Sequence, residues 1–383
     1  MTKKKVLVVL VDRANYGRMK PVMKALQASN QIDLEILCSG TMLLPRFGNT
    51  LDIVEQDGFE VSSKVFMEVE GSNPTTMSKS IGLGILEFSN ELHKINPDIV
   101  LLIGDRYEAL AAAISSAYMN FTLAHIQGGE VSGSIDESCR HAISKFSHIH
   151  FPSTKRSAEY LMRMGELEEN IHNVGCPVGD YILSLPDDLK SSDIEGGIGR
   201  KIDISQEYLL VIFHPVTTSF ISREDIKNVL LVLDKLNMQT IWLWPNIDAG
   251  ADLISTEIRN FRENNDANWL YLIKNMTPEV FQKILKNASC AIGNSSSFIR
   301  DSTFSGVPVV LVGNRQIGRE HGKNLIESSF KKEDLEENIV NQISHGHYSG
   351  ADIYGNGNAA KRIVEILLKS KPKIQKTISY IND

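Results

Sequence analysis

The densest cluster of titratable residues in the chain lies between residues 125 and 141. Glu130 follows a pair of glycines that permit a sharp turn, and Asp136, Glu137, Arg140 and His141 come shortly after it. Neighbouring carboxylates cannot all ionise freely, so they shift one another's pKa, and a carboxylate tuned in this way acts as a general acid or base. Taken singly, Asp136 and Glu137 are equally well explained as the acidic start of a helix. The cluster as a whole favours acid–base chemistry.

Other polar residues directly follow short apolar runs. Asp105 and Arg106 follow one run, and His214 follows another in the second half of the chain. A charged pair at the end of a strand is costly unless it is solvated or paired. Asp105 and Arg106 therefore pair with each other, cap the next helix or take part in chemistry. Arg13 follows the first run, either at a plain turn or facing an anion.

A third group of residues suits a phosphate. Gly293-Asn294-Ser295-Ser296-Ser297 precedes a predicted helix, where unpaired backbone N–H groups and hydroxyls bind anions. An ordinary Asn or Ser helix cap explains the same residues. Arg315 and Arg319 follow the next apolar run. Two arginines near such a loop favour a nucleotide diphosphate as the ligand.

Composition excludes several classes of protein. The 383 residues include 40 Lys and Arg against 47 Asp and Glu, a net charge of −7. A nucleic-acid partner needs clustered positive charge, so we expect none. We also expect no membrane partner, because no apolar run approaches the roughly 18 residues of a membrane span. The four cysteines are far apart in sequence and form no CxxC pair, which is typical of a reduced, cytoplasmic protein.

The sequence also argues against a cofactor. The turn from Arg13 to Gly17 lacks the GxGxxG pattern, so a nicotinamide-dependent oxidoreductase is disfavoured. His148 and His150 alternate along a predicted strand and share a face, but no third ligand has convincing spacing and HExxH is absent. We therefore predict no catalytic metal and no cofactor.

The elements that must position these residues alternate between strand and helix. Predicted strands in the first half are Lys5–Leu10, Leu34–Cys38, Asp98–Ile103, Thr122–Ile126, His148–Phe151 and Ile171–Val174. After a glycine-containing stretch the alternation of strand and helix resumes. The predicted strands there are Tyr208–Phe213, Thr240–Trp244, Trp269–Ile273, Cys290–Ile292 and Pro308–Val312. This pattern predicts an α/β fold of parallel sheets with helices on both faces.

We therefore predict two Rossmann-like doubly wound domains with a cleft between them. The N-terminal domain spans residues 1–185, the C-terminal domain spans residues 186–357, and a last helix, about residues 358–383, packs back on the N-terminal domain. Ligands of such sheets bind beyond the carboxyl ends of the strands. The candidate residues follow the predicted strands, so we expect them to meet in the cleft.

Many segments in one order resemble a known family, the hydrolysing UDP-N-acetylglucosamine 2-epimerases. These include the bacterial sialic-acid-pathway enzymes and the epimerase half of the animal bifunctional enzyme. The resemblance covers nearly the whole chain. It is carried by Arg13–Tyr16, Gly48–Thr50, Gly104–Arg106, Gly128–Gly133, Ile135–Glu137, Arg140–Ile143, His214–Thr218, Pro245–Gly250, Gly293–Ser296 and Arg315–Glu320.

The resemblance implies the fold of GT-B glycosyltransferases, with UDP bound mainly by the C-terminal domain. It implies hydrolysis of UDP-N-acetylglucosamine to UDP and N-acetylmannosamine through a glycal intermediate, the first step of sialic acid biosynthesis. It further implies a homodimer or homotetramer. The implied acid–base set is Asp105, Glu130, Asp136 and Glu137, with His214 beside the diphosphate or the leaving oxygen. The implied substrate-binding set is Arg13, Arg106, Gln127, Arg140, His214, Asn246, Ser295, Ser296, Asp301 and Arg315.

Two of these positions depart from the family pattern. Gln127 stands where relatives carry a glutamate, and glutamine cannot act as a base, so the proton transfer falls to Glu130 or to Asp136 and Glu137. Asp301 stands where relatives have a glutamate that reaches the ribose.

Several alternatives remain open. The nearest is a hydrolysing epimerase for another UDP sugar, such as the 2,4-diacetamido-trideoxy sugar of the legionaminic acid pathway. A non-hydrolysing epimerase, a GT-B glycosyltransferase that needs an acceptor, and a catalytically inactive UDP-sugar-binding regulator are less favoured. A mere binder does not need three acidic residues beside an anionic ligand.

Overall fold

A computed structural model describes residues 3–48, 50–71, 73–216, 221–245, 250–371 and 374–380. Asn49, Thr217, Thr218 and the segment 246–249, which includes the candidate Asn246, lie outside these ranges. None of the described helices is long and apolar enough to cross a bilayer.

The first sheet has six parallel strands in the spatial order β3-β2-β1-β4-β5-β6. The strands are β1 (Lys4–Leu10), β2 (Ile32–Ser39), β3 (Ser63–Val65), β4 (Ile99–Ile103), β5 (Thr122–Ile126) and β6 (Ile149–Phe151). The helices of this part are α1 (Arg13–Gln27), α2 (Thr50–Gln56), α3 (Pro74–Ile95), α4 (Tyr107–Tyr118), α5 (Ile135–Phe146), α6 (Lys155–Arg163) and α7 (Val178–Ile182). This strand order is that of a doubly wound nucleotide-binding sheet.

The second sheet has seven strands in the order β13-β12-β11-β8-β9-β10-β7. They are β7 (Ile198–Gly199), β8 (Leu209–Ile212), β9 (Thr240–Leu243), β10 (Leu270–Ile273), β11 (Cys290–Gly293), β12 (Val309–Val312) and β13 (Leu325–Ser328). Its helices are α8 (Arg223–Leu236), α9 (Ala251–Asn264), α10 (Pro278–Asn287), α11 (Ser297–Ser305) and α12 (Lys332–His345). Among the described strands of this sheet, the edge strand β7 pairs antiparallel with β10 and the other pairs are parallel. The six parallel strands repeat the winding of the first sheet, so the predicted α/β class with two Rossmann-like units is confirmed.

Burial explains which strands the sequence reveals. Every residue of β4, β8 and β9 is buried, as expected for strands covered by helices on both faces. The edge strands β3, β7 and β13 are short and partly exposed, so their sequences lack a continuous apolar run. The predicted strand Ile171–Val174 is reduced to a single bridge between Ile171 and His150, although the N–H groups of His172 and Val174 still donate to the carbonyls of His150 and Pro152.

The last helix, α13 (Ala359–Lys369), returns from the second sheet to the first. Its buried residues Ile363 and Leu367 share a hydrophobic core with Val6 of β1 and Met19 and Met23 of α1. Helix α7 also packs on α1, and it packs on α11 as well. The two units are therefore joined by a pair of chain segments on one side of the cleft.

Candidate active site

A cleft lies between the carboxyl ends of the two sheets. In each sheet the winding direction reverses at the first strand and its crossover neighbour, which are β1 and β4 in one sheet and β8 and β11 in the other. Doubly wound sheets bind ligands at such a reversal point. The cleft is lined by Asp12, Arg13, Ala14, Gly17, Arg18, Thr41, Phe47, Thr50, Asp105, Arg106, Asp136, Val178, Ile212, His214, Leu243, Trp244, Pro245, Lys274, Met276, Pro278, Phe281, Gln282, Ser295, Ser296, Ser297, Asp301 and Arg315.

Small polar residues before α11 line one end of the cleft. Gly293 has a φ of 143°, and a Cβ there would lie 1.9 Å from the carbonyl oxygen of Ile212, so the close approach to β8 requires glycine. The side chain of Asn294 accepts from the His214 N–H at 2.7 Å and donates to the His214 carbonyl at 2.8 Å. Ser295 and Ser296 therefore stand at the start of α11 beside His214, as the sequence predicts.

Positively charged residues reach this end from both sheets. Arg315 donates to the carbonyl of Asn294 at 3.2 Å, which places its guanidinium over the loop before α11. Arg13, at the start of α1, donates to the carbonyl of Lys274 at 2.7 Å and so bridges the two units. Burial, together with the nearby Arg315, Arg13 and Arg106, holds the pKa of His214 well below its usual value. His214 is therefore a neutral imidazole at pH 7, able to donate a hydrogen bond without carrying charge.

Asp105 is held rigidly in the cleft by the residues around its turn. Neutral His125, whose pKa burial lowers to about 3, donates from Nε2 to the Gly104 carbonyl at 2.7 Å. Asn15 donates to the Ile103 carbonyl at 2.9 Å. The Asp105 carboxylate accepts from Arg140. Burial alone would raise the pKa of Asp105, but Arg140 and other arginines lower it strongly, so Asp105 stays ionised.

Asp136 is the second carboxylate of the catalytic candidates that lines the cleft. Ser134 caps α5 by accepting from the Asp136 N–H, which places Asp136 in the first turn. Its Oδ2 lies 3.2 Å from Nη2 of Arg315, a residue of the other unit. Asp136 therefore begins a helix, and it also lines the cleft.

Other members of the predicted cluster lie outside the lining of the cleft. Glu137 accepts from the backbone N–H of Ser132 at 2.7 Å. Gln127 accepts from Arg18 at 2.8 Å and is 1% exposed. Arg140 is 1% exposed and reaches the cleft only through Asp105.

Glu130, predicted to be a tuned acid or base, is 4% exposed and pairs with Arg300 and Arg319. Burial acts to raise its pKa, but these arginines lower it below the usual value. The neighbouring Asp105 carboxylate also acts to raise the pKa of Glu130, but the arginines outweigh both effects, so the pKa of Glu130 is not tuned upward as the sequence predicts.

The remaining predicted binding residues have defined partners. Arg106 pairs with Glu108 at 3.1 Å and lies 3.7 Å from Asp12. Asp301 accepts from Gln282 at 2.7 Å, and burial raises its pKa. Both Arg106 and Asp301 line the cleft.

Sequence reasoning missed several cleft residues. Lys274 follows β10 in the same way that Arg13 follows β1, so the strand-end argument would have found it. Trp244 and Phe281 add aromatic side chains to the lining of the cleft, but nothing in their spacing marks them. Within the described residues, no group of three or more His, Cys, Asp or Glu side chains is placed to hold a metal ion.

Two doubly wound units with a ligand cleft at their reversal points define a GT-B-like α/β protein. A solved structure of the same fold is UDP-GlcNAc 2-epimerase from Methanocaldococcus jannaschii in complex with UDP-GlcNAc and UDP, with a TM-score of 0.77 and 18% identity, covering 96% of this chain and all of that one.

Residues 24–368 match the family model described as UDP-N-acetylglucosamine 2-epimerase, and the chain belongs to that family of enzymes. It is 34% identical, over 99% of both chains, to UDP-N,N'-diacetylbacillosamine 2-epimerase (hydrolyzing) of Legionella pneumophila. It is 28% identical, over 95% of both chains, to UDP-N-acetylglucosamine 2-epimerase of Neisseria meningitidis serogroup B.

Proposed function

We propose that this protein is a hydrolysing 2-epimerase of a UDP-linked 2-acetamido sugar, and that its substrate is the 2,4-diacetamido-2,4,6-trideoxy sugar of UDP-N,N'-diacetylbacillosamine. The observation that carries the reaction class is one cleft in which the carboxylates Asp105 and Asp136 lie beside the cations Arg13 and Arg315. The observation that favours this sugar is the full-length similarity to the Legionella enzyme.

UDP binds with its diphosphate at the start of α11. The hydroxyls of Ser295 and Ser296 and the N–H groups at the start of that helix donate to the phosphate oxygens, and Arg13 and Arg315 neutralise the charge of those oxygens. Neutral His214 donates to the oxygen that leaves C1, where negative charge develops as the bond breaks. Asp301 and Gln282, on the same wall, face the nucleoside.

The first chemical step is elimination. Asp136 accepts the proton from C2 while the C1–oxygen bond to UDP breaks, which leaves a C1–C2 double bond in the sugar. The diphosphate competes with Asp136 for Arg315, so substrate binding weakens the Asp136–Arg315 pair and makes the carboxylate more basic. Asp105 remains ionised and supplies fixed negative charge beside the sugar.

The second step is hydration of that double bond. A water oxygen bonds to C1 and releases one proton, and a solvent-derived proton bonds to C2 on the face opposite to the one from which Asp136 removed the first proton, so that one water is added in total. C2 is thereby inverted, and the products are UDP and the free 2-epimeric sugar. Neither step changes an oxidation state overall or requires a metal or nicotinamide.

A second candidate substrate is UDP-N-acetylglucosamine, favoured by the similarity to the Neisseria enzyme over 95% of the chain. In that case the protein would release N-acetylmannosamine and begin sialic acid biosynthesis. The same cleft residues serve both substrates, since the two sugars differ at C4 and C6 and share the acetamido group at C2.

The test is an incubation with each UDP sugar, followed by NMR. We expect UDP and a free 2-epimeric sugar, with the larger kcat/KM for UDP-N,N'-diacetylbacillosamine. A larger kcat/KM for UDP-N-acetylglucosamine would reverse the choice of substrate. A product still linked to UDP would identify a non-hydrolysing epimerase, and turnover only with an added acceptor would identify a glycosyltransferase.

A further inference from the structure

We infer that Glu130 is a positioning residue that clamps the two domains together and sets the placement of Asp105 against the loop before α11. The inference rests on the proposed function of the cleft, and it assigns to Glu130 a role other than proton transfer. It is carried by the contacts that radiate from this one buried side chain.

The side chain of Glu130 grips the second unit through two arginines. Nη1 of Arg300 donates to Glu130 Oε2 at 3.0 Å, and Nη1 of Arg319 lies 3.4 Å from the same oxygen. Arg300 also donates from Nη2 to Ser296 Oγ at 2.7 Å. Glu130 is thus linked, through one guanidinium, to a hydroxyl that lines the proposed diphosphate site.

The backbone carbonyl of Glu130 binds Arg140 of the first unit, which also binds Asp105. Arg140 donates from Nη1 to the Glu130 carbonyl at 2.7 Å and from Nη2 to the Asp105 carboxylate. Nη2 of Arg319 lies 4.0 Å from the same Asp105 carboxylate, and Nε of Arg319 donates to the Val131 carbonyl at 3.3 Å. Arg319 therefore belongs to one unit but finds its partners in the other.

Burial makes these contacts interdependent. Glu130, Arg300 and Arg319 are 4%, 2% and 4% exposed. A buried charge that loses its partner is strongly destabilising, whereas removing both partners together is nearly neutral. Glu130 and Arg319 should consequently behave as a unit in any measurement that depends on their contact.

The geometry disfavours Glu130 as the base for the C2 proton. Oε2 of Glu130 already faces two guanidinium groups, Oε1 is buried, and the side chain does not line the cleft. A base must lie within hydrogen-bond reach of the proton it removes. Asp136 satisfies the condition of facing the cleft and Glu130 does not.

The test compares E130Q, R319Q and the double variant E130Q/R319Q. We expect E130Q and R319Q each to lower kcat about 10²-fold, the cost of a misplacement near 1 Å at a reacting centre. The kcat of the double variant should be no more than about threefold below that of either single variant, because each of the three variants breaks the same contact between the domains. The Tm of the double variant should be higher than that of E130Q, but its kcat should stay low. If the pair had a purely structural role, both Tm and kcat would recover in the double variant.

UDP binding gives a readout that does not depend on turnover. In calorimetry, E130Q should lower the affinity for UDP about tenfold, since Arg300 no longer holds Ser296 in place. The matched control is E166Q, which removes another buried glutamate, 2% exposed and paired with Lys145, His150 and Lys376 within the first unit and its C-terminal segment. We expect E166Q to lower Tm but to leave kcat and UDP affinity within about threefold.

Three results would overturn the inference. They are unchanged UDP affinity in E130Q, normal kcat in R319Q, and multiplied rather than shared losses in the double variant. Loss of kcat in E130Q alone would return the role of base to Glu130. If the wild type releases no UDP from either sugar, the proposed function fails, and the UDP titrations and the Tm cycle still decide whether the clamp exists.

Discussion

Asp136 and Arg315 form an ion pair across the cleft, and replacing Asp136 by asparagine separates the two roles of this pair. The side chains keep nearly the same shape, but the carboxylate charge is lost. We expect kcat to fall at least about 10²-fold, the lower range for removal of a positioned base. UDP should bind more tightly, because Arg315 no longer shares its charge with Asp136.

The gain in affinity follows from the geometry. Asp136 Oδ2 lies 3.2 Å from Arg315 Nη2, so a diphosphate that contacts Arg315 lies roughly 5 Å from the carboxylate. Two unit charges at that separation repel by about 3 kcal/mol at an effective dielectric constant near 20. The side chain of Arg315 is 11% exposed and that of Asp136 is 22% exposed. Solvent and salt therefore reduce the repulsion to about 1–2 kcal/mol. UDP affinity should therefore rise about 5- to 30-fold.

The assay is calorimetric titration of UDP into Asp136→Asn, with UDP release followed by NMR. Glu137→Gln is the matched control, since it removes the same charge one residue along the helix, where the side chain binds Ser132 N–H outside the cleft. The control should leave UDP affinity within about twofold. Normal turnover by Asp136→Asn, or weaker binding of UDP, would show that this pair is not at the diphosphate end of the site.

Three further measurements test the remaining parts of the site and fold. Arg315→Ala should weaken UDP by about 1–3 kcal/mol in calorimetry, the scale of a charge-assisted contact, and unchanged affinity would place the diphosphate elsewhere. Turnover in D2O should put deuterium at C2 of the released sugar, and labelled water should put its oxygen at C1; protium at C2 would exclude elimination. Burial acts to raise the pKa of Glu166, but His150 and Lys376 lower it to about 2. A depressed carboxyl pKa stabilises the fold above the unfolded value near 4.5 and ceases to do so as pH falls through 2. Urea unfolding should therefore show the wild type losing about 1–3 kcal/mol more than E166Q between pH 5 and pH 2, and parallel pH curves would contradict the assignment.

The strand-end residues were predictable because parallel sheets place them by rule. Asp105 follows β4 and His214 follows β8, and the carboxyl ends of parallel strands meet at one edge of each sheet. The central strands were equally readable, since burial on both faces leaves an unbroken apolar run. The edge strands β3 and β13 pair on one side only, and their mixed sequences gave no such signal.

The sequence alone does not predict whether Glu130 or Asp136 faces the cleft. Glu130 lies in the glycine-containing loop after β5 and Asp136 lies just beyond it at the start of α5, and either suits acid–base chemistry. The contact of that loop with the second unit separates them: the Gly133 N–H donates to the Arg315 carbonyl at 2.9 Å, and a Cβ at Gly133 would lie 2.0 Å from the Asn314 carbonyl oxygen. This contact buries Glu130 between Arg300 and Arg319 while Asp136 faces the cleft.

The sequence by itself therefore determined the doubly wound fold, the resemblance to the family and the set of residues that meet near the cleft. Those properties depend on local periodicity and on the position of each residue along its own strand. Only the tertiary structure decided which acidic residue faces the cleft and which holds a domain contact. Ion pairs such as Glu130–Arg300 join residues that are far apart in the chain, and their partners are set by how two separately wound sheets pack, which no local pattern encodes.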